Sequence, residues 1–171
     1  MAATYEAIAT VTVGSGGASN IQFGSIPNTY TDLAVLCSFR FARASSYSQV
    51  RAYFNSNTSN YSWRALLHEF GGIASSVNGA DRAYWYPPAA NATASTFGND
   101  LLYIPNYAGS TNKSYSIDSV MENNNATNYF AGLWAALWSN TSAITSITFD
   151  SPIADTFVQH SSATLYGISS S

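Results

Sequence analysis

Residues 33–41 set the tightest limit on the fold. Leu33, Val35, Cys37, Phe39 and Phe41 alternate with residues that include Ser38 and Arg40. A period of two over nine residues places one side of an extended chain in a core and does not suit an amphipathic helix. The alternation therefore predicts a half-buried β-strand, and the chain must supply more strands for it to pair with.

The rest of the sequence supplies them. Residues 7–13 read as a strand stopped by GSGG, and residues 21–23 as a short strand stopped before Pro27-Asn28. Val50, Ala52 and Phe54 alternate with Arg51, Tyr53 and Asn55 before the turn NSNTSN. Residues 61–70 end at Gly71-Gly72, and residues 96–104 end at Pro105-Asn106. In 114–121, Tyr115, Ile117, Ser119 and Met121 oppose Ser116, Asp118 and Val120. Residues 143–149 and 163–168 complete the set. Nine or ten short strands divided by polar turns, with no convincing amphipathic helix, predict an all-β chain. The expected architecture is an antiparallel β-sandwich with jelly-roll or Greek-key connections. One domain is expected over residues 1–171, with residues 1–6 and 169–171 as short arms able to reach neighbours. Pro87 to Ser95 reads as a long loop.

The segment YFAGLWAALW (129–138) carries two of the four tryptophans and no charge. Its ten residues are too few to cross a bilayer as a helix, which needs about 20. Turn-forming Asn and Ser flank it, so it reads as a core strand covered on both faces. Trp134, Ala136 and Trp138 point one way, and Leu133, Ala135 and Leu137 the other.

Charge and cysteine content narrow the function. Only 9% of residues are charged, against an average of about 25%. Such a surface, built from Ser, Thr, Asn, Gly and Tyr, suits a protein that is covered by partners. The net charge is −3 with six basic residues, which gives no support to nucleic-acid binding. Cys37 is the single cysteine, so there is no intrachain disulfide, and its place in the alternating run makes it a small buried hydrophobe. The first residues, MAATYEAIATVTVG, lack the basic and apolar regions of a signal peptide. Synthesis in a cytosol is expected, and the six Asn-x-Ser/Thr sequons then reflect composition.

No chemical constellation emerges. His68 and His160 are far apart in sequence, and neighbours such as His68 and Glu69 face opposite ways on a strand. Asp118 and Glu122 share a strand face but lie about 13 Å apart at strand rise, too far for paired acid and base work on one bond. No phosphate-binding glycine loop and no GxSxG turn occurs. The chain reads as a non-enzyme with no cofactor and no metal. One cluster points to contact instead: Tyr84, Trp85 and Tyr86, followed by two prolines. Three consecutive rings cannot all enter one core, so they are candidate partner-binding residues. Exposed Tyr and Trp suit protein interfaces and also stack on sugar rings.

Four segments carry a family resemblance: IQFGSIPNTYTDLAVLCSFR (21–40), LLYIPNYAGSTNKSYSIDSVMENN (101–124), GLWAALWSNTSAITSITF (132–149) and ATLYGISS (163–170). In this order they resemble a recurrent family of small structural proteins from tailed bacteriophages, including head decoration or cement proteins. Residues 43–96 depart from the pattern and are where a partner-specific surface is expected. The resemblance implies a capsid decoration protein at the virion exterior, made in the bacterial cytoplasm. Its implied partner is the major capsid protein, its implied state a homo-oligomer with a trimer favoured, and it contacts neither nucleic acid nor membrane. The alternative is a tail-fibre or receptor-binding module that grips host polysaccharide.

Overall fold

The computed structural model describes residues 4–69, 75–124 and 129–169. Among these residues the fold is all-β, with twelve strands. They are β1 (Thr4–Thr12), β2 (Asn20–Phe23), β3 (Asp32–Ser38), β4 (Val50–Phe54), β5 (Tyr61–Glu69) and β6 (Ser75–Gly79), followed by β7 (Tyr84–Trp85), β8 (Asn99–Ile104), β9 (Lys113–Met121), β10 (Phe130–Trp138), β11 (Ile147–Asp150) and β12 (Ser162–Ser169). Eight form one sheet in the order β1-β12-β3-β8-β9-β10-β5-β6, and four form a second in the order β2-β11-β4-β7. Every pairing between these strands is antiparallel.

Each strand of the smaller sheet is flanked in sequence by strands of the larger one. The chain therefore crosses between layers repeatedly, in the jelly-roll manner. The inward residues of both layers make a single core. Phe54 of β4 meets Tyr115 of β9 at 5.2 Å and Trp138 of β10 at 5.6 Å between ring centroids. Phe39 packs on Phe149 at 5.5 Å and on Phe157 at 5.0 Å. Tilted and edge-on ring pairs of this kind contribute beyond their buried area.

The polarity alternations coincide with strands. β9 is the clearest case: Lys113, Tyr115, Ile117, Ser119 and Met121 are buried, and the residues between them are exposed. β3 ends at Ser38, earlier than the alternation, yet Phe39 and Phe41 remain buried because loop residues continue the inward packing. Phe41 bridges Phe157 there. Two strands have no counterpart in the alternations. β6 is polar and lies at the sheet edge, and β7 is two residues long. The first arm is partly sheet, since Thr4, Tyr5 and Glu6 pair with Ser169, Ile168 and Gly167. Residues 1–3 and 170–171 of the arms lie outside the described residues, as do Phe70 and Gly71-Gly72.

One expectation fails in an informative way. β10 is covered on one face only. Phe130, Trp134, Ala136 and Trp138 are buried, but Ala131, Leu133 and Ala135 are exposed. The apolar run has a wet side, because the second layer lies against one face of the larger sheet alone.

Candidate functional site on the larger sheet

Cross-strand register builds the outward face of the larger sheet row by row. Leu36 of β3 lies opposite Leu101 of β8, which lies opposite Asp118 of β9. Asp118 faces Leu133 of β10, and Leu133 faces Leu66 of β5. One step along the strands, the row reads Tyr103, Ser116, Ala135 and Arg64. On the other side it reads Val120, Ala131 and His68. Leu36, Leu66, Leu101, Leu133 and Val120 are between 38% and 64% exposed. Together they present on the order of 400 Å² of apolar surface, the size of the largest patch on a typical monomer, which is often functional. Small residues between them leave shallow depressions. One of about 530 Å³ lies between Leu66, Leu101, Leu133 and Arg64.

The charges of this face are unspent. Arg64 donates from its guanidinium to the Trp63 carbonyl oxygen at 3.0 Å and forms no ion pair among the described residues. Asp118 forms none either. The two are separated by two strand spacings and one register step, roughly 12 Å at ordinary sheet dimensions, so they do not meet. The outer face of the smaller sheet is different. There Arg51 holds Asp150 through two bonds, at 2.6 and 3.2 Å, beside the polar Asn20 and Gln22.

The candidate contact residues Tyr84, Trp85 and Tyr86 do not form a surface platform. Pairing of β7 with β4 sets Trp85 opposite Val50 and turns its ring inward, where it is 0% exposed against Phe149. Tyr84 and Tyr86 are half-buried. Tyr84 meets Trp63 edge-on at 5.5 Å, and Tyr86 meets Phe130 at 4.7 Å. The three rings seal one flank of the sandwich, and Trp85 is a core residue.

The strands of the segments that carry the family resemblance supply Leu36, Leu101, Asp118, Val120 and Leu133 to the open face, and their loops are absorbed by the fold. They meet around the turns that hold the two layers together. Tyr107 donates its hydroxyl to the Pro27 carbonyl. Asp32 accepts from the Tyr103 hydroxyl at 2.7 Å and from the Asn106 N–H at 2.8 Å. Lys113 is buried, and its ammonium is held by the carbonyl oxygens of Gly109, at 2.6 Å, and Thr111. Ile144 N–H reaches Tyr107 O at 3.0 Å, and Thr31 N–H reaches Ile168 O at 2.8 Å. Tyr30 lies over Gly167, where an added Cβ would fall 2.3 Å from its ring. These residues fix loops and offer no free chemistry.

Two further buried polar groups are structural. The Arg40 guanidinium donates to the carbonyl oxygens of Ala90, Ala92, Thr93 and Thr96, which ties the long loop to the sandwich. Asp100 lies between the layers and accepts from the Ser119 hydroxyl at 2.6 Å. Burial pushes its carboxyl up to about 7, although Ser119 and the nearby Trp85 indole favour the charged form. The indole N–H stands near the second carboxyl oxygen without reaching hydrogen-bond geometry. Buried Cys37, its partner across β3 and β8, has its thiol pushed well up by the same burial.

On the open face, His68 stacks on Tyr129 at 5.1 Å, and β10 lies between it and Asp118. Among the described residues no group of three His, Cys, Asp or Glu is placed to hold a metal. No helix among them is long and apolar enough to cross a membrane.

The leucines of the open face are the functional candidates that the sequence reading passes over, although their signal is present. Leu66, Leu101 and Leu133 occupy outward positions of regular alternations. Their apolar character suggests a second covering layer, and the described residues supply none.

No family model matches the chain, and no curated protein matches it. Among solved structures, the galectin LEC-6 of Caenorhabditis elegans is similar over 94% of this chain and 96% of its own, at 9% identity and a TM-score of 0.35. A likeness this low carries neither a ligand nor a role to this chain.

Proposed function

We propose that this chain is a bacteriophage capsid decoration (cement) protein. It works as an oligomer that binds the outer surface of the head and stabilises contacts between major capsid protein subunits. The observation that carries the reading is the open apolar face of the larger sheet on a molecule with few charges. A protein acting alone could have covered β5, β8, β9 and β10 with the Ser and Thr it uses elsewhere. Covering the five apolar side chains is worth on the order of 10 kcal/mol before the ordering costs of association. The resemblance of residues 21–40, 101–124, 132–149 and 163–170 to structural proteins of tailed bacteriophages supports the same reading. Action is by contact and not by catalysis.

A tail-fibre or receptor-binding module would stack host sugars on exposed Tyr and Trp; Trp85 lies in the core and Tyr84 and Tyr86 are half-buried, so no specific observation favours this second reading.

The test is co-sedimentation of the purified protein with heads that lack it. Saturable binding, with raised resistance of the heads to heat, is expected. Heads that pellet without the protein at micromolar concentrations would overturn the assignment.

A further inference from the structure

We infer that the open face of the larger sheet is the two-fold interface of a homodimer, with Arg64 of each copy paired to Asp118 of the other. The inference deepens the proposed function and rests on it: the open face joins the copies of the oligomer, and the head contact falls to another surface.

Charge placement carries the argument. Asp118 on β9 and Arg64 on β5 sit diagonally about the point on β10 between Leu133 and Ala135. By strand spacing and rise they are about 9.6 Å apart across the sheet and about 6.8 Å apart along it. A two-fold axis lying in the face through that point, tilted about 35° from the strands, exchanges the two positions. Each guanidinium then lies over the carboxylate of the second copy. The same axis brings the Leu133 and Leu66 side chains of both copies together at its centre. There they can fill the depression beside Leu101. An isologous contact needs a self-complementary patch, and a patch with both signs about an apolar middle meets that need. Neither charge has an ion pair within its own chain among the described residues.

The axis runs through β10, so the face it pairs spans β8, β9, β10, β5 and β6, about 24 Å across. With the two copies crossed, the overlap is at most about 600 Å² on each, toward the small end of specific interfaces, which use about 800 Å² per partner. A closed trimer would instead need two different patches on each copy.

The experiment is sedimentation equilibrium on the full chain and three variants: Arg64→Asp, Asp118→Arg, and the double variant carrying both. Both positions are exposed, so the fold is retained, and circular dichroism checks this. The wild type is expected at twice the 18.3 kDa chain mass. Each single change should weaken the dimer at least about tenfold, and the double variant should recover to within about threefold of wild type. A monomer, a trimer, singles that match wild type, or a double variant no better than the singles each overturns the inference. Head co-sedimentation is run alongside. A monomer that still binds heads removes the dimer and leaves the decoration role. A dimer that ignores heads does the reverse.

Discussion

Replacing Asp100 by Asn should change how stability depends on pH. Asp100 is buried between β3, β7 and β9, facing Cys37, Trp85 and Ser119, with Asp118 adding negative charge from the far side of β9. No cation pairs with it among the described residues. Its carboxyl is raised from 3.8 to about 7 in the folded protein. The folded state therefore holds a proton that the unfolded state gives up more readily. This group costs nothing below about pH 4, and its penalty builds between that pH and about 7, where the folded carboxyl ionises as well. A carboxyl raised this far lowers stability by roughly 4 kcal/mol above about pH 7. Asn keeps an acceptor for the Ser119 hydroxyl and carries no charge. Urea unfolding at about pH 4.5 and about pH 8 measures both proteins. The difference between them cancels the other carboxylates. The variant should be close to wild type at about pH 4.5 and more stable by on the order of 3 kcal/mol at about pH 8. An equal difference at both pH values would refute the assignment of the raised carboxyl to Asp100.

Other residues give independent checks. Trp85→Ala should cost about 3–5 kcal/mol in urea unfolding, as expected of a buried ring; a cost below about 1 kcal/mol would place the ring at the surface. Gly167→Ala drives a methyl group into the Tyr30 ring, so a loss of about 1–3 kcal/mol is expected, and Tyr30→Ala in the same chain should relieve part of it. Arg40→Met leaves the carbonyl oxygens of Ala90, Ala92, Thr93 and Thr96 without their shared donor. It should speed proteolytic cleavage within residues 90–96, while unchanged cleavage would show that the loop holds itself.

Ten of the twelve strands are legible in the sequence because inward and outward residues differ in polarity, as in β9. β6 is not, because an edge strand of Ser, Val, Asn and Gly buries little and shows no alternation. β7 is not, because it is two residues long and depends on β4, which lies more than 30 positions earlier. The site is less legible than the fold. An aromatic triplet reads as exposed because three adjacent rings cannot face one way, but a short strand and a flank seal accommodate all three. The open face reads as buried because Leu is usually inside. Whether an apolar strand face meets a second layer depends on the size of that layer, which no local pattern reports. Here four strands oppose eight.

A virion component that acts in many copies through surface contact leaves its count in the particle, which quantitative mass spectrometry of purified particles reads. A fixed, high ratio of this chain to the major capsid protein is expected, lost when Leu133→Asp replaces wild type during infection. A ratio of only a few copies per particle, or an unchanged ratio for Leu133→Asp, would contradict it.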